Sequence, residues 1–142
     1  MSTTRTITIL LIGVACIIGL TGLAPSQTKD DPAKTIDPVF PDGFVHDFGK
    51  VKQGSRPKHS FRIVNTSDTP LRLLEVRVSM NPLRAYVSNG ELKKNEAGQL
   101  EIVYDSVRFL GQKHSTVYLL YEENGKLKQA RFWLKAESQQ LP

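Results

Sequence analysis

FVHDFGKVKQGSRPKHSFRIVNTSDTPLRLLEVRV, residues Phe44–Val78, is the stretch on which the fold turns. Side chains of a β-strand switch sides at every residue, and three segments here follow that period. Phe44, His46 and Phe48 share one face of a short strand ending at Gly49, with Val45 and Asp47 opposite. After the Gln53-Gly54 turn, His59, Phe61 and Ile63 share a face of a strand over Lys58–Asn65. A third strand, Leu71–Val78, follows the turn residues Thr66–Pro70. Its Leu73-Leu74 doublet breaks alternation, which predicts a bulge or a change of partner sheet.

Downstream, Asn81-Pro82 interrupts the chain, Leu83–Ser88 reads as a short strand and Asn89-Gly90 as a turn. Glu91–Gly98 is polar enough to be a loop. Leu100, Ile102 and Tyr104 alternate as a strand, and Val107–Gly111 is a connection expected to tuck Phe109 and Leu110 beneath it. The last hairpin can be read to its register. Asn124-Gly125 is the favoured two-residue type I′ turn, because both positions need positive φ. If it closes the hairpin, Val117 faces Phe132, Leu119 faces Ala130 and Ser115 faces Leu134 on an apolar side. Tyr118 then faces Arg131 and Thr116 faces Trp133 on the wet side. A slip of one residue would mix the two faces.

No helical period appears after Ala24. About seven short strands separated by turns predict one all-β domain, an antiparallel β-sandwich over residues 43–138 with a tail at 139–142. Phe61, Ile63, Leu100, Ile102, Val117, Leu119, Phe132 and Leu134 are its expected core.

The 142-residue chain is 39% apolar and 23% charged, ordinary for a globular protein. Its apolar residues are concentrated in ITILLIGVACIIGLTGLA, Ile7–Ala24, which holds no charge and follows Arg5. As a helix this run would span roughly 27 Å, near the hydrocarbon thickness of a bilayer. Residues 1–24 therefore read as a cleaved signal peptide or a retained membrane anchor, and either places the remainder outside the cytoplasm. Gly13-Val14-Ala15-Cys16 resembles a lipoprotein cleavage box. However, Gly13 stands where a branched apolar residue is expected, and the chain stays apolar after Cys16. Cys16 is the only cysteine, so no disulfide can staple the exported part. The four prolines of residues 25–42 predict a linker without helix or central strand. The net charge of +5 is a mild excess.

These residues also carry a family resemblance. Asp47-Phe48-Gly49, Gly54, Asn65-Thr66 and Pro70-Leu71 resemble the opening of the bacterial family called domain of unknown function 1573. Tyr104-Asp105-Ser106, Arg108-Phe109 and Gly111 resemble its later segment. The resemblance spans about Phe44 to Lys135. It implies an immunoglobulin-like fold, similar to major-sperm-protein and Hydin-type domains, in an exported bacterial protein with no established activity. Many members carry a Cys-Gly-Cys-type motif after the third strand. This chain has Ser79-Met80-Asn81-Pro82 there, so no metal, redox or crosslinking role carries over.

Chemistry is sparse. His46 and Asp47 are adjacent and point to opposite faces, and His59 and His114 have no acid or cysteine at ligand spacing. Gly-x-Ser-x-Gly, His-Glu-x-x-His and phosphate-loop patterns are absent from the sequence. No catalytic residue, metal or cofactor is expected. The leading expectation is a non-catalytic module of the cell envelope. It would be held at the membrane through residues 7–24 if they are kept, and would bind an envelope protein, for instance by strand addition at a sheet edge. Trp133, Tyr118 and Arg131 are the candidate contact surface. The alternative is a binder of anionic envelope polymer or lipid headgroups through Arg84, Lys93, Lys94, Lys126, Lys128, Arg131 and Lys135. No nucleic acid partner is expected.

Overall fold

The computed structural model describes residues 36–140, so the expected signal or anchor segment and most of the linker lie outside the described residues. Eight strands run in chain order as β1 (Val45–Lys52), β2 (Lys58–Val64), β3 (Leu71–Val78), β4 (Leu83–Val87), β5 (Glu91–Leu92), β6 (Ala97–Tyr104), β7 (Gly111–Glu123) and β8 (Lys126–Gln139). They form a five-stranded sheet ordered β1-β8-β7-β3-β5 and a three-stranded sheet ordered β2-β6-β4. Among the described residues there is no helix, and none therefore long and apolar enough to cross a membrane.

The β7–β8 hairpin has the register its turn dictates. Val117 pairs with Phe132, Leu119 with Ala130, Ser115 with Leu134, Tyr118 with Arg131 and Thr116 with Trp133. Asn124 and Gly125 take φ of 52° and 71°, as a type I′ turn requires. The Leu73-Leu74 doublet is a bulge: the β3–β7 register shifts between Leu73 and Glu75, which leaves Leu73 buried and Leu74 outside. All eight expected core residues are buried between the sheets.

Four features differ from the sequence reading. The sandwich is not wholly antiparallel, because β1 runs parallel to β8, from Val45 beside Trp133 to Lys52 beside Gln139. β1 also passes Gly49 rather than ending there. A bulge between Asp47 and Lys50, with Gly49 at φ 66°, resets the phase and returns Val51 to the core. The polar loop after Asn89-Gly90 contains Leu92, which is fully buried where β5 pairs with β3 at Leu71. Leu110 is 51% exposed rather than tucked under. The residue that anchors that connection is Ser106, fully buried, with its hydroxyl between the carbonyls of Lys52 (2.9 Å) and Ser55 (2.7 Å).

The linker boundary also moves. Val39 and Phe40, placed in the Pro-rich linker, belong to the core. The Phe40 ring lies 5.3 Å from Phe44, 5.5 Å from Tyr121 and 5.5 Å from Phe132. The same segment covers the free edge of β2. The Val39 carbonyl accepts the Val64 amide at 2.8 Å, and the Asp42 carboxylate accepts the Arg62 amide at 2.7 Å. An edge strand left bare invites foreign pairing, and here the chain closes it with its own entry segment.

Asn65 holds the β2–β3 turn from inside. It is fully buried, and its amide donates to the carbonyls of Thr69 (2.7 Å) and Leu92 (2.9 Å). Its side-chain oxygen accepts the Ser67 amide (3.0 Å) and hydroxyl (2.8 Å). Every polar atom of this buried group is paired, the condition under which burial is tolerated.

Phe40→Ala should lower the unfolding free energy by about 3–5 kcal/mol, the usual cost of a large aromatic deleted from a core. Urea titration of the full chain measures it, and a change near zero would put Phe40 outside the core.

Candidate functional site

On the outer face of the five-stranded sheet, alternation brings Arg131, Trp133 and Lys135 of β8 beside Thr116, Tyr118 and Leu120 of β7, then Glu75 and Arg77 of β3. One rung reads Arg131, Tyr118, Arg77. The Arg131 guanidinium sits 5.2 Å from the Tyr118 ring centroid and 5.9 Å from that of Trp133, in reach of cation–π attraction to both. Glu75 grips Arg77 at 2.7 and 2.9 Å. The three expected contact residues therefore form one cluster. Trp133 is half-buried, because its neighbour on the other side is Val45 of β1.

The seven basic candidates do not converge. Arg131 and Lys135 lie on this face, and Lys126 and Lys128 lie at the hairpin tip. Lys93 and Lys94 lie between β5 and β6, and Arg84 stands on the other sheet, in β4. Acids hold three of them: Lys94 pairs with Asp68, Lys128 with Glu123, and Lys135 with Asp47 at 3.7 Å. This set is spread over two solvated faces, a hairpin tip and a loop rather than gathered in one patch.

β3 follows β7 across the sheet, with Arg77 beside Tyr118 and its far side an edge. β5 pairs with it only at Leu71 and Arg72, and the Leu73 amide still reaches the Gly90 carbonyl at 2.8 Å. Beyond that point, among the described residues, no strand pairs with β3 on this side, while β7 pairs with it as far as Val78 on the other. Val78 is directed inward, opposite the fully buried Val117, yet it is 38% exposed. Leu74 is 48% exposed at the bulge. Of the other edges, β1 is guarded by its bulge and lysines and β2 by residues 39–42, while β4, the far edge of the three-stranded sheet, packs close to β3.

The histidines hold a contact that the spacing did not reveal. His46 on β1 and His59 on β2 stack face to face across the two sheets, centroids 3.5 Å apart and planes within 8°. The edges of Phe48 and Phe61 close on them, each at 4.6 Å. Burial holds both rings below the ordinary value of 6.5. For His46 the second cause is the charge of His59, which together with burial outweighs Asp47; for His59 burial outweighs Asp42. His46 and His114 also border one hollow of about 300 Å³ with Asp47, Lys135 and Trp133. They do not converge in it. His46 pairs with the inward Leu134, whereas His114 and Asp47 both flank the outward Lys135. The Asp47 carboxylate is engaged by the Gly49 amide at 2.7 Å. Among the described residues no group of three His, Cys, Asp or Glu side chains is placed to hold a metal.

A family model described as "Protein of unknown function (DUF1573)" matches residues 42–137. No curated protein matches the chain. Among solved structures, a protein of unknown function from Porphyromonas gingivalis W83 is 22% identical with a TM-score of 0.57, over 66% of this chain and 44% of that one. The VesB protease of Vibrio cholerae is 16% identical with a TM-score of 0.56, over 66% of this chain and 30% of that one. SSP-19, an MSP-domain-like family member of Caenorhabditis elegans, is 9% identical with a TM-score of 0.46, over 61% of this chain and 91% of that one. The chain thus spans less than half the length of the first two, and the likeness is one of fold.

The sign of the histidine effect is fixed by linkage. Rings held below their ordinary value take up protons more readily when unfolded, so stability falls as pH drops below about 6.5. The urea midpoint should therefore be lower at pH 5.5 than at pH 7.5, and the double variant His46→Asn/His59→Gln should flatten that difference. An unchanged pH dependence in the double variant would show that the stack is not its source.

Proposed function

We propose, from the premise that this chain belongs to the DUF1573 family, that it is a non-catalytic, extracytoplasmic immunoglobulin-like module that binds a partner protein by accepting a strand along β3. The observation that carries this reading is the unpaired edge from Glu75 to Val78, with inward-facing Val78 left 38% exposed. An incoming strand gains main-chain hydrogen bonds there and gains specificity from alternate side chains. Val76 and Val78 call for an apolar residue on one side, and Glu75 and Arg77 for charged or polar ones on the other. Tyr118 of β7 lies one strand in from that edge, beside Arg77, and leads across the sheet to Arg131 and Trp133 of β8, residue types common at binding hot spots. The extracytoplasmic placement rests on the apolar run Ile7–Ala24, followed by the Pro-rich stretch that leads into the domain.

A photo-crosslinking residue placed at Val78 of the full chain, in its native cell, should capture one partner, whereas the same residue at Tyr86 on the other sheet should not. With the crosslinking residue moved to exposed Leu74, Val78→Lys should abolish capture while changing unfolding by no more than about 1 kcal/mol, as exposed sites do. Equal capture from Val78 and Tyr86, or capture that survives Val78→Lys, would overturn the strand-addition reading.

A further inference from the structure

A hollow lies where the β1–β2 turn, the start of β4 with the chain before it, and the β6–β7 connection meet. It measures about 480 Å³ and is lined by Arg56, Arg84, Arg108, Asp105, Asn81 and Phe109. Three separate elements deliver its guanidinium groups. Arg56 comes from the β1–β2 turn, Arg84 from the outer face of β4, and Arg108 from the β6–β7 connection. Buried Ser106 ties two of these elements together. Its amide donates to the Ser55 carbonyl at 3.2 Å and its hydroxyl reaches Lys52 and Ser55, so the connection carrying Arg108 is tied to the turn carrying Arg56. Asp105 is occupied twice over, by Arg56 at 3.3 Å and by the Val107 amide at 3.1 Å. Among the described residues neither Arg84 nor Arg108 pairs with an acid. A smaller neighbouring hollow of about 220 Å³ shares Arg56, Arg84 and Asp105 and adds Lys58, Tyr86 and Glu101. Lys58 is held by Glu101 at 3.4 Å. The site therefore has two cations in excess, on a scaffold tied down from beneath.

We propose that this hollow binds a phosphate ester, with Arg84 and Arg108 taking the phosphate oxygens and Arg56, oriented by Asp105, as the third donor. Guanidinium is the side chain suited to this, because its planar fork matches two phosphate oxygens at once and stays charged at every relevant pH. The volume is that of a small-molecule site and leaves room for the group esterified to the phosphate. Of the basic residues expected from the sequence, only Arg84 belongs to this site. Arg56 and Arg108 join it through the fold, and the stretch Asp105–Phe109 is what assembles it. The site is independent of the strand-addition reading.

The test uses the full chain in neutral-detergent micelles, followed by amide resonances. The probes are glycerol 3-phosphate in solution and, separately, phosphatidylglycerol mixed into the micelle, with phosphatidylcholine as the control lipid. Shifts at Val107 and Arg108 with glycerol 3-phosphate identify a soluble ester. Shifts with phosphatidylglycerol alone identify a lipid headgroup, and both results support the site. Arg84→Gln/Arg108→Gln should weaken binding at least about tenfold, the loss of one or more charge-assisted hydrogen bonds. Lys50→Gln, on β1 of the far sheet, should change it less than about twofold, as an independent site. The proposal is overturned by no shift with either probe, by equal response to phosphatidylcholine, or by Lys50→Gln weakening binding as much as the double variant. Melting curves confirm that the double variant, altered only at exposed side chains, remains folded.

Discussion

The two sheets are held in register by aromatic contact across their inner faces, and Phe132 is its centre. Phe61 of the three-stranded sheet meets it at 4.8 Å, Phe44 at 5.4 Å and Phe40 at 5.5 Å. Edge-to-face and tilted pairs of this kind add specific geometry to the burial of large apolar area. The constraint runs back to two residues. The Asn124-Gly125 turn sets the phase of β8, and only that phase turns Phe132 inward and Arg131 and Trp133 outward. Core and outer cluster are thus opposite sides of one register, and neither can be altered by a slip without losing the other.

How much could be read in advance follows from how local each signal is. The hairpin was legible because turn chemistry and side-chain period meet within one short segment. The β3 bulge was legible because adjacent leucines cannot both face a core. The parallel pairing of β1 with β8 joins opposite ends of the domain, and no periodicity encodes a partner that far away. Phe40 was misplaced because prolines on both sides of it, Pro38 and Pro41, mark irregular chain correctly, yet irregular chain can still deliver a side chain to the core. Leu92 was hidden for a related reason: one apolar residue among lysines and acids has no period to announce it.

The candidate sites were less legible than the fold. Tyr118, Arg131 and Trp133 could be grouped because one register controls them all. The stacking of His46 on His59 could not, since it depends on two edge strands of different sheets meeting where no backbone hydrogen bond joins them. The three arginines around the Asp105 connection are similarly dispersed along the chain. The sign that something is built there was the polar run Asp105-Ser106, whose serine turned out to be buried and fully engaged. Asn65 carries the same lesson, since an asparagine read only as the end of a strand is an interior hub.

The parallel course of β1 and β8 has a mechanical corollary. The chain enters the pair at Val45, beside Trp133, and leaves it at Gln139, beside Lys52. Tension drawn through the two ends would slide these strands past each other lengthwise, loading the rungs of the pair together rather than peeling them one at a time. A module tethered at its front and gripped at its back would meet such a pull with its most resistant geometry.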